Sequence, residues 1–198
     1  MVPMDLSQPQ FTGILLGSGF ILSLGGLLYP IASVQSQDHR IFNFLHLGLV
    51  KMVPLFRLLW PMGKTPFMAA MLSVLYLSGW PSGFWATLFF CVIACIERSL
   101  KLIVKRPRPF SVLSDVQMSQ PQKPQDPSHP SGDSMRIWYL AFVIPMAFGL
   151  PWAIFILLCS IAILVSLGRI ALGVHFPLDI MGGTGLGLIG AGLYQLCL

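Results

Sequence analysis

Six apolar runs separated by short polar breaks leave this chain few ways to bury its surface. The runs fall at 11–31, 66–80, 83–96, 135–150, 152–167 and 180–198, and Arg136 is the one Lys, Arg, Asp or Glu inside them. Only 10% of the residues are charged and 55% are hydrophobic, where a soluble domain usually carries about a quarter charged residues. A bilayer is the natural solvent for such a chain. The expected fold class is all-α: a polytopic membrane helical bundle of about six transmembrane helices in a single domain, 1–198. The run 11–31 is the first span, 36–64 an interfacial segment, and 66–198 the core that carries the chemistry.

The stretch 41–62 mixes Leu and Phe with Lys51, Arg57 and two prolines. Those interruptions suit an amphipathic helix in the interface better than a clean span. Trp80-Pro81-Ser82-Gly83 signals a turn between the second and third runs, and Gly149-Leu150-Pro151 a tight turn later. Runs 66–80 and 83–96 are shorter than the roughly 20 residues a straight span needs, although 97–105 still reads as helix. The one long polar connection, 99–135, holds a Gln- and Pro-rich tract; connections this long are usually functional or disordered.

Net charge is +5, but the cations lie between apolar helices and offer no soluble patch for nucleic acid. Cys91, Cys95, Cys159 and Cys197 read as small buried hydrophobes, with no further ligands for zinc. The first ten residues include Asp5 and no Lys or Arg, so no cleavable leader is expected. Alternating the spans places Arg40, Lys51, Arg57, Lys64, Arg98, Lys123 and Arg136 on one membrane face. Three polar clusters fall on that same face: Lys101-x6-Arg108-Pro109, His129-Pro130-Ser131-Gly132-Asp133 and Gly168-Arg169-x5-His175-x3-Asp179.

These clusters hold what phosphoryl transfer asks of a protein, which is positioning and positive charge around the equatorial oxygens. Lys101, Arg108 and Arg169 are the candidate phosphate ligands, the arginines offering paired donors. Ser131 and Gly132 precede a helix start, where free amides favour anions. His175 is the candidate nucleophile, with Asp179 four residues on to hold one ring nitrogen protonated. No metal or other cofactor is called for. Lys105 and Arg106 read as juxtamembrane cations facing lipid headgroups, and Asp133 or Ser134 as a helix cap.

In order and spacing the clusters resemble the type 2 phosphatidic acid phosphatase family, whose pattern is Lys-x6-Arg-Pro, Pro-Ser-Gly-His and Ser-Arg-x5-His-x3-Asp. The resemblance covers 66–198 and implies a metal-independent membrane lipid phosphatase working through a phosphohistidine at His175. Two positions depart from it. Gly168 replaces a serine, and Asp133 replaces the histidine that the family uses to protonate the leaving oxygen. A desolvated Asp133 with a raised pKa is one candidate donor, and His129 is another. A lipid monophosphate leaving a diphosphate needs protonation less than an alkoxide does. The missing histidine therefore favours a polyprenyl diphosphate such as undecaprenyl diphosphate as substrate. Phosphatidate and phosphatidylglycerophosphate are the alternatives, and a catalytically silent headgroup binder or membrane-complex partner is a further one. The expected partners are the bilayer and its lipid phosphate, in the plasma membrane. The Lys/Arg bias points to a cytoplasmic site and the resemblance to the opposite side.

Overall fold

A computed structural model of the protein describes residues 9–198, and its longest helices follow these runs. The α-helices are α1 (Pro9–Gly26), α2 (Ala32–Leu49), α3 (Val53–Leu59), α4 (Thr65–Leu75), α5 (Trp80–Val104), α6 (Pro109–Val112), α7 (Gly132–Phe148), α8 (Trp152–Ala171) and α9 (Pro177–Gln195). No strand occurs among the described residues. The all-α bundle expected from sequence is what the chain forms.

Helix α9 runs through the middle of the bundle against α1, α5 and α7. Its glycines make that possible. A Cβ on Gly183 would lie 2.2 Å from the Ser131 carbonyl oxygen, and one on Gly185 would lie 2.4 Å from Ser23 Oγ. A methyl at either position would force α7 or α1 away, as small residues do elsewhere at helix interfaces in membranes. Around this axis Met68, Ile93, Met135, Tyr139 and Tyr194 form the main core. Its hydroxyls are paired: Tyr139 Oη donates to the Ala86 carbonyl at 2.6 Å, and Tyr194 and Ser82 share a 2.6 Å contact.

Some sequence expectations are corrected. Trp80–Gly83 form the first turn of α5 instead of a loop, because Pro81 is tolerated there. The break sits one residue earlier, at Gly79, whose φ of 129° suits glycine alone. Cys91, Cys95 and Cys197 are exposed instead of buried. Among the described residues two runs suffice by length and hydropathy to cross a membrane unaided, Ala32–Gly63 and Trp152–Ala171. The first of these contains the run read as interfacial, and a 3-10 turn at Val50–Met52 divides it. Phe44, Leu47, Leu58 and Leu77 are each at least 72% exposed, a surface that hydrocarbon accepts and water does not.

The connection after α5 is ordered by the site it covers. The Ser128 amide donates to the Arg106 carbonyl at 2.8 Å and the Ser119 amide to the Leu172 carbonyl at 3.1 Å. Arg57 Nε donates to the Ser119 carbonyl at 2.6 Å. These bonds fold residues 113–131 back over the ends of α5, α7 and α8.

Candidate active site

The polar ends of α5, α7 and the α8–α9 loop enclose a cleft of about 330 Å³. His175, Lys101, Arg108, Gly132 and Asp133 line it, together with Lys64, Glu97, Arg98, Asp126 and Arg136. The three clusters that sequence placed on one face therefore do converge.

His175 is 3% exposed, in the loop between α8 and α9. Its Nε2 faces the cleft beside Arg108 Nη1, 3.2 Å away. Its Nδ1 lies 3.6 Å from Asp179 Oδ2, which is long for a hydrogen bond. Ser128 Oγ fills the gap, 3.4 Å from Nδ1 and 2.5 Å from that carboxylate oxygen. Burial first, then the Arg108 charge, lower the His175 pKa to about 4. Asp179 opposes that shift without overcoming it. The ring is thus neutral at physiological pH, with Nε2 free to attack once Arg108 turns to an incoming anion.

Asp179 is fully buried in the first turn of α9 and accepts bonds from three sides. Phe176 N donates to Oδ2 at 2.8 Å and Arg106 Nη1 to Oδ1 at 2.8 Å. His129 Nδ1 stands 3.4 Å from Oδ1. Burial works against the ionised carboxyl, yet His129, His175 and the Arg106 charge hold it well below the usual carboxylate range. Arg106 is 2% exposed between Asp179 and Asp38 of α2, so it does not face lipid headgroups as its basic surroundings suggested. His129 is turned away from the chemistry. It stacks on Tyr29, and its ring edge lies in the gap left by Gly26 and Gly182.

Two of the expected phosphate ligands lie behind the cleft. Ser131 is fully buried; its Oγ caps α7 by accepting from Ser134 N at 3.4 Å, and its amide donates to the Asp179 carbonyl at 2.9 Å. The first-turn amides of Gly132 and Asp133 remain without intrahelical acceptors, as at any helix start. Arg169 is 1% exposed, donates to the Trp60 carbonyl at 2.9 Å and pairs with Asp133 Oδ2 at 3.3 Å. Gly168 makes room for Phe56: a Cβ there would sit 2.9 Å from that ring. The hydroxyl absent at 168 thus has a packing reason.

The proton-donor expectation for Asp133 is reversed by its surroundings. Lys64 stands 3.1 Å, Arg169 3.3 Å and Arg136 3.4 Å from its oxygens. Burial pushes the carboxyl up, but these three cations outweigh it and leave the pKa at about 2. Asp133 is an ionised hub for cations.

A second carboxylate occupies the place expected for phosphate. Asp126, in the Gln- and Pro-rich tract, bridges Lys101 Nζ and Arg108 Nη2, the latter at 2.8 Å. Arg108 Nε also donates to the Asp126 carbonyl at 2.8 Å, while Lys101 pairs with Glu97 at 2.7 Å on its other side. Sequence reasoning missed Asp126, Glu97, Ser128 and Asp38, none of which falls in the spaced clusters. The signal for Asp126 was an acid inside the polar connection that joins two cationic motifs.

Residues 82–198 match the sequence profile of the PAP2 superfamily. A stretch of 105 residues is 30% identical to an undecaprenyl-diphosphatase of Sulfolobus acidocaldarius, covering 53% of this chain and 50% of that protein. The chain thus matches about half the length of that curated relative. The backbone superposes on a transmembrane PAP2-type phosphatidylglycerolphosphate phosphatase of Bacillus subtilis with a TM-score of 0.69, at 23% identity over 92% of this chain and 93% of the other. It also superposes on LpxE of Aquifex aeolicus with a TM-score of 0.65, at 27% identity over 79% and 93%.

Proposed function

The chain belongs to the PAP2 superfamily, and from that premise and the cleft's geometry we propose that it is an integral membrane lipid phosphatase. It removes a terminal phosphate without a metal, through a phosphohistidine at His175. The observation that carries this reading is the neutral His175, its Nε2 turned to a cleft ringed by Lys101, Arg108 and the α7 N-terminus.

The phosphate displaces Asp126 from Lys101 and Arg108, and Arg108 leaves Nε2 to take an equatorial oxygen. Nε2 attacks phosphorus while Asp179, through Ser128 and directly, stabilises the positive charge that builds on the ring. Water then releases phosphate from His175. Lys101, Arg108 and Gly132 are the proposed ligands in contact, and Arg169 and Ser131 support the site from behind.

The substrate we favour is a polyprenyl diphosphate such as undecaprenyl diphosphate, in the plasma membrane. The relative's name supports it. A lipid monoester, phosphatidate or phosphatidylglycerophosphate, is the second reading, favoured by the name of the Bacillus subtilis neighbour. The test is phosphate release by the detergent-solubilised chain in EDTA, with the diphosphate and phosphatidate offered side by side. Release that survives EDTA and disappears in His175→Ala is expected. Release that EDTA abolishes, or that His175→Ala retains, sinks the proposal.

A further inference from the structure

A phosphohistidine mechanism needs a group to neutralise the oxygen that leaves, and neither Asp133, held ionised by three cations, nor His129, turned into the α1–α9 interface, can do it. We propose that Lys64 is that group: its ammonium donates a proton to the lipid oxygen as the phosphorus–oxygen bond breaks. The assignment rests on the phosphatase reading above.

Elimination among the cations of the cleft supports it. A guanidinium is a poor general acid because it holds its protons tightly, which sets aside Arg98, Arg108 and Arg136. Lys101 is clamped between Glu97 and Asp126 with 7% of its side chain exposed, on the side that holds the phosphate. Lys64 differs on each count. It lies between Gly63 and α4, in the lining of the same cleft, and 30% of its side chain is exposed. Its Nζ bonds one carboxylate, Asp133 Oδ2 at 3.1 Å, and stands 4.9 Å above the Trp60 ring. One of its three N–H bonds is used, which leaves donors for a ligand. Asp133 has a role in this arrangement that proton donation would forbid, since its charge anchors the ammonium where the resemblance places a histidine.

Burial also makes the proton easier to lose. Burial lowers the Lys64 pKa, Asp133 opposes, and the Arg169 and Arg136 charges lower it further. A lysine tuned in this way is a known kind of acid–base catalyst.

The step balances without another reactant. A bond forms between His175 Nε2 and phosphorus as the bond from phosphorus to the lipid oxygen breaks. The electron pair stays on that oxygen, which takes the proton of Lys64, giving a neutral amine, the phosphohistidine and the released lipid, an alcohol from a monoester or a lipid monophosphate from a diphosphate. In the second half water attacks phosphorus and passes a proton to the amine. The phosphorus–nitrogen pair returns to Nε2, and phosphate leaves with Lys64 charged again.

The experiment compares two leaving groups on the full chain in detergent. Dioctanoyl phosphatidate must expel an alkoxide, and 4-nitrophenyl phosphate expels a phenoxide that needs no proton. Lys64→Met is expected to cut kcat on phosphatidate by about a hundredfold or more and to reduce turnover of the nitrophenyl ester far less, and that remaining turnover also reports correct folding. Lys64→Arg keeps the charge and is expected to fail on phosphatidate in the same way. Equal losses on both esters, or an arginine variant that keeps phosphatidate turnover, would overturn the assignment. So would a wild-type enzyme that hydrolyses a diphosphate and neither monoester, with the phosphatase reading left standing. A wild type that releases phosphate from none of the three refutes that reading itself.

Discussion

Substituting Asp126 by Asn tests whether the carboxylate over Lys101 and Arg108 competes with substrate or organises its ligands. Phosphate can reach the two cations only after breaking both ion pairs, each a charge-assisted bond of about 1.5–3 kcal/mol at best. The Asp126 side chain is 32% exposed, so water recovers much of that energy when the carboxylate is displaced. A net competition of about 1–2 kcal/mol remains, equivalent to about a five- to thirtyfold change in affinity. Asn keeps the size, and the loop keeps its backbone bonds to Arg106 and Arg108, so the charge is what changes. Burial pushes the Asp126 carboxyl up, but Lys101 and Arg108 outweigh it and hold it well below the usual carboxylate range. The competition therefore persists across the neutral pH range. The assay is competitive inhibition by inorganic phosphate, measured as Ki on both proteins. Asp126→Asn is expected to lower Ki by that factor. A Ki that rises would show that the carboxylate positions Lys101 and Arg108, and the competition argument would fall.

Two other outcomes follow from the site. The protonated imidazole has no lone pair, so kcat/KM is expected to fall as pH drops through about 4, the lowered His175 pKa. An acid limb near the ordinary histidine value of about 6.5, after correction for substrate ionisation, would contradict the burial argument. Asp38→Ala leaves Arg106 buried with Asp179 as its remaining carboxylate, so the loss is expected to fall below the roughly 3–5 kcal/mol of a wholly uncompensated buried charge. Thermal melting in detergent is expected to drop accordingly, with kcat reduced more than KM is raised. An unchanged melting temperature would refute it.

Much of this architecture was legible because the apolar runs and the motif spacing are local signals. The break at Gly149, the helical extension through 97–104 and the glycine-rich face of α9 all follow from residues within a few positions of one another. The convergence of Lys101, Arg108, Gly132 and His175 on one cleft followed from alternating the spans. What stayed hidden depends on contacts across long sequence separations. Asp38 and Arg106 are 68 residues apart, and Lys64 and Asp133 are 69 apart, so no window of sequence contains either pair. The same reason turned Asp133 from an expected acid into an ionised hub: its pKa depends on Lys64, which the motif does not include. The Gly79 break was missed because Pro81 looks like a loop residue until its place in a first helical turn is known.

The Asp38–Arg106–Asp179 chain has a consequence for anyone who would recombine this protein with its relatives. The profile match begins at residue 82, yet Asp38 and Lys64 lie upstream of it and hold groups that lie within it. A chimera joined at that boundary would inherit the proposed nucleophile, its carboxylate and the proposed phosphate ligands. It would also inherit a buried guanidinium and a buried carboxylate matched to a helix left behind. The heritable unit of this active site is thus larger than the recognisable one, and exchange between homologues succeeds only when positions 38 and 106, and 64 and 133, travel together.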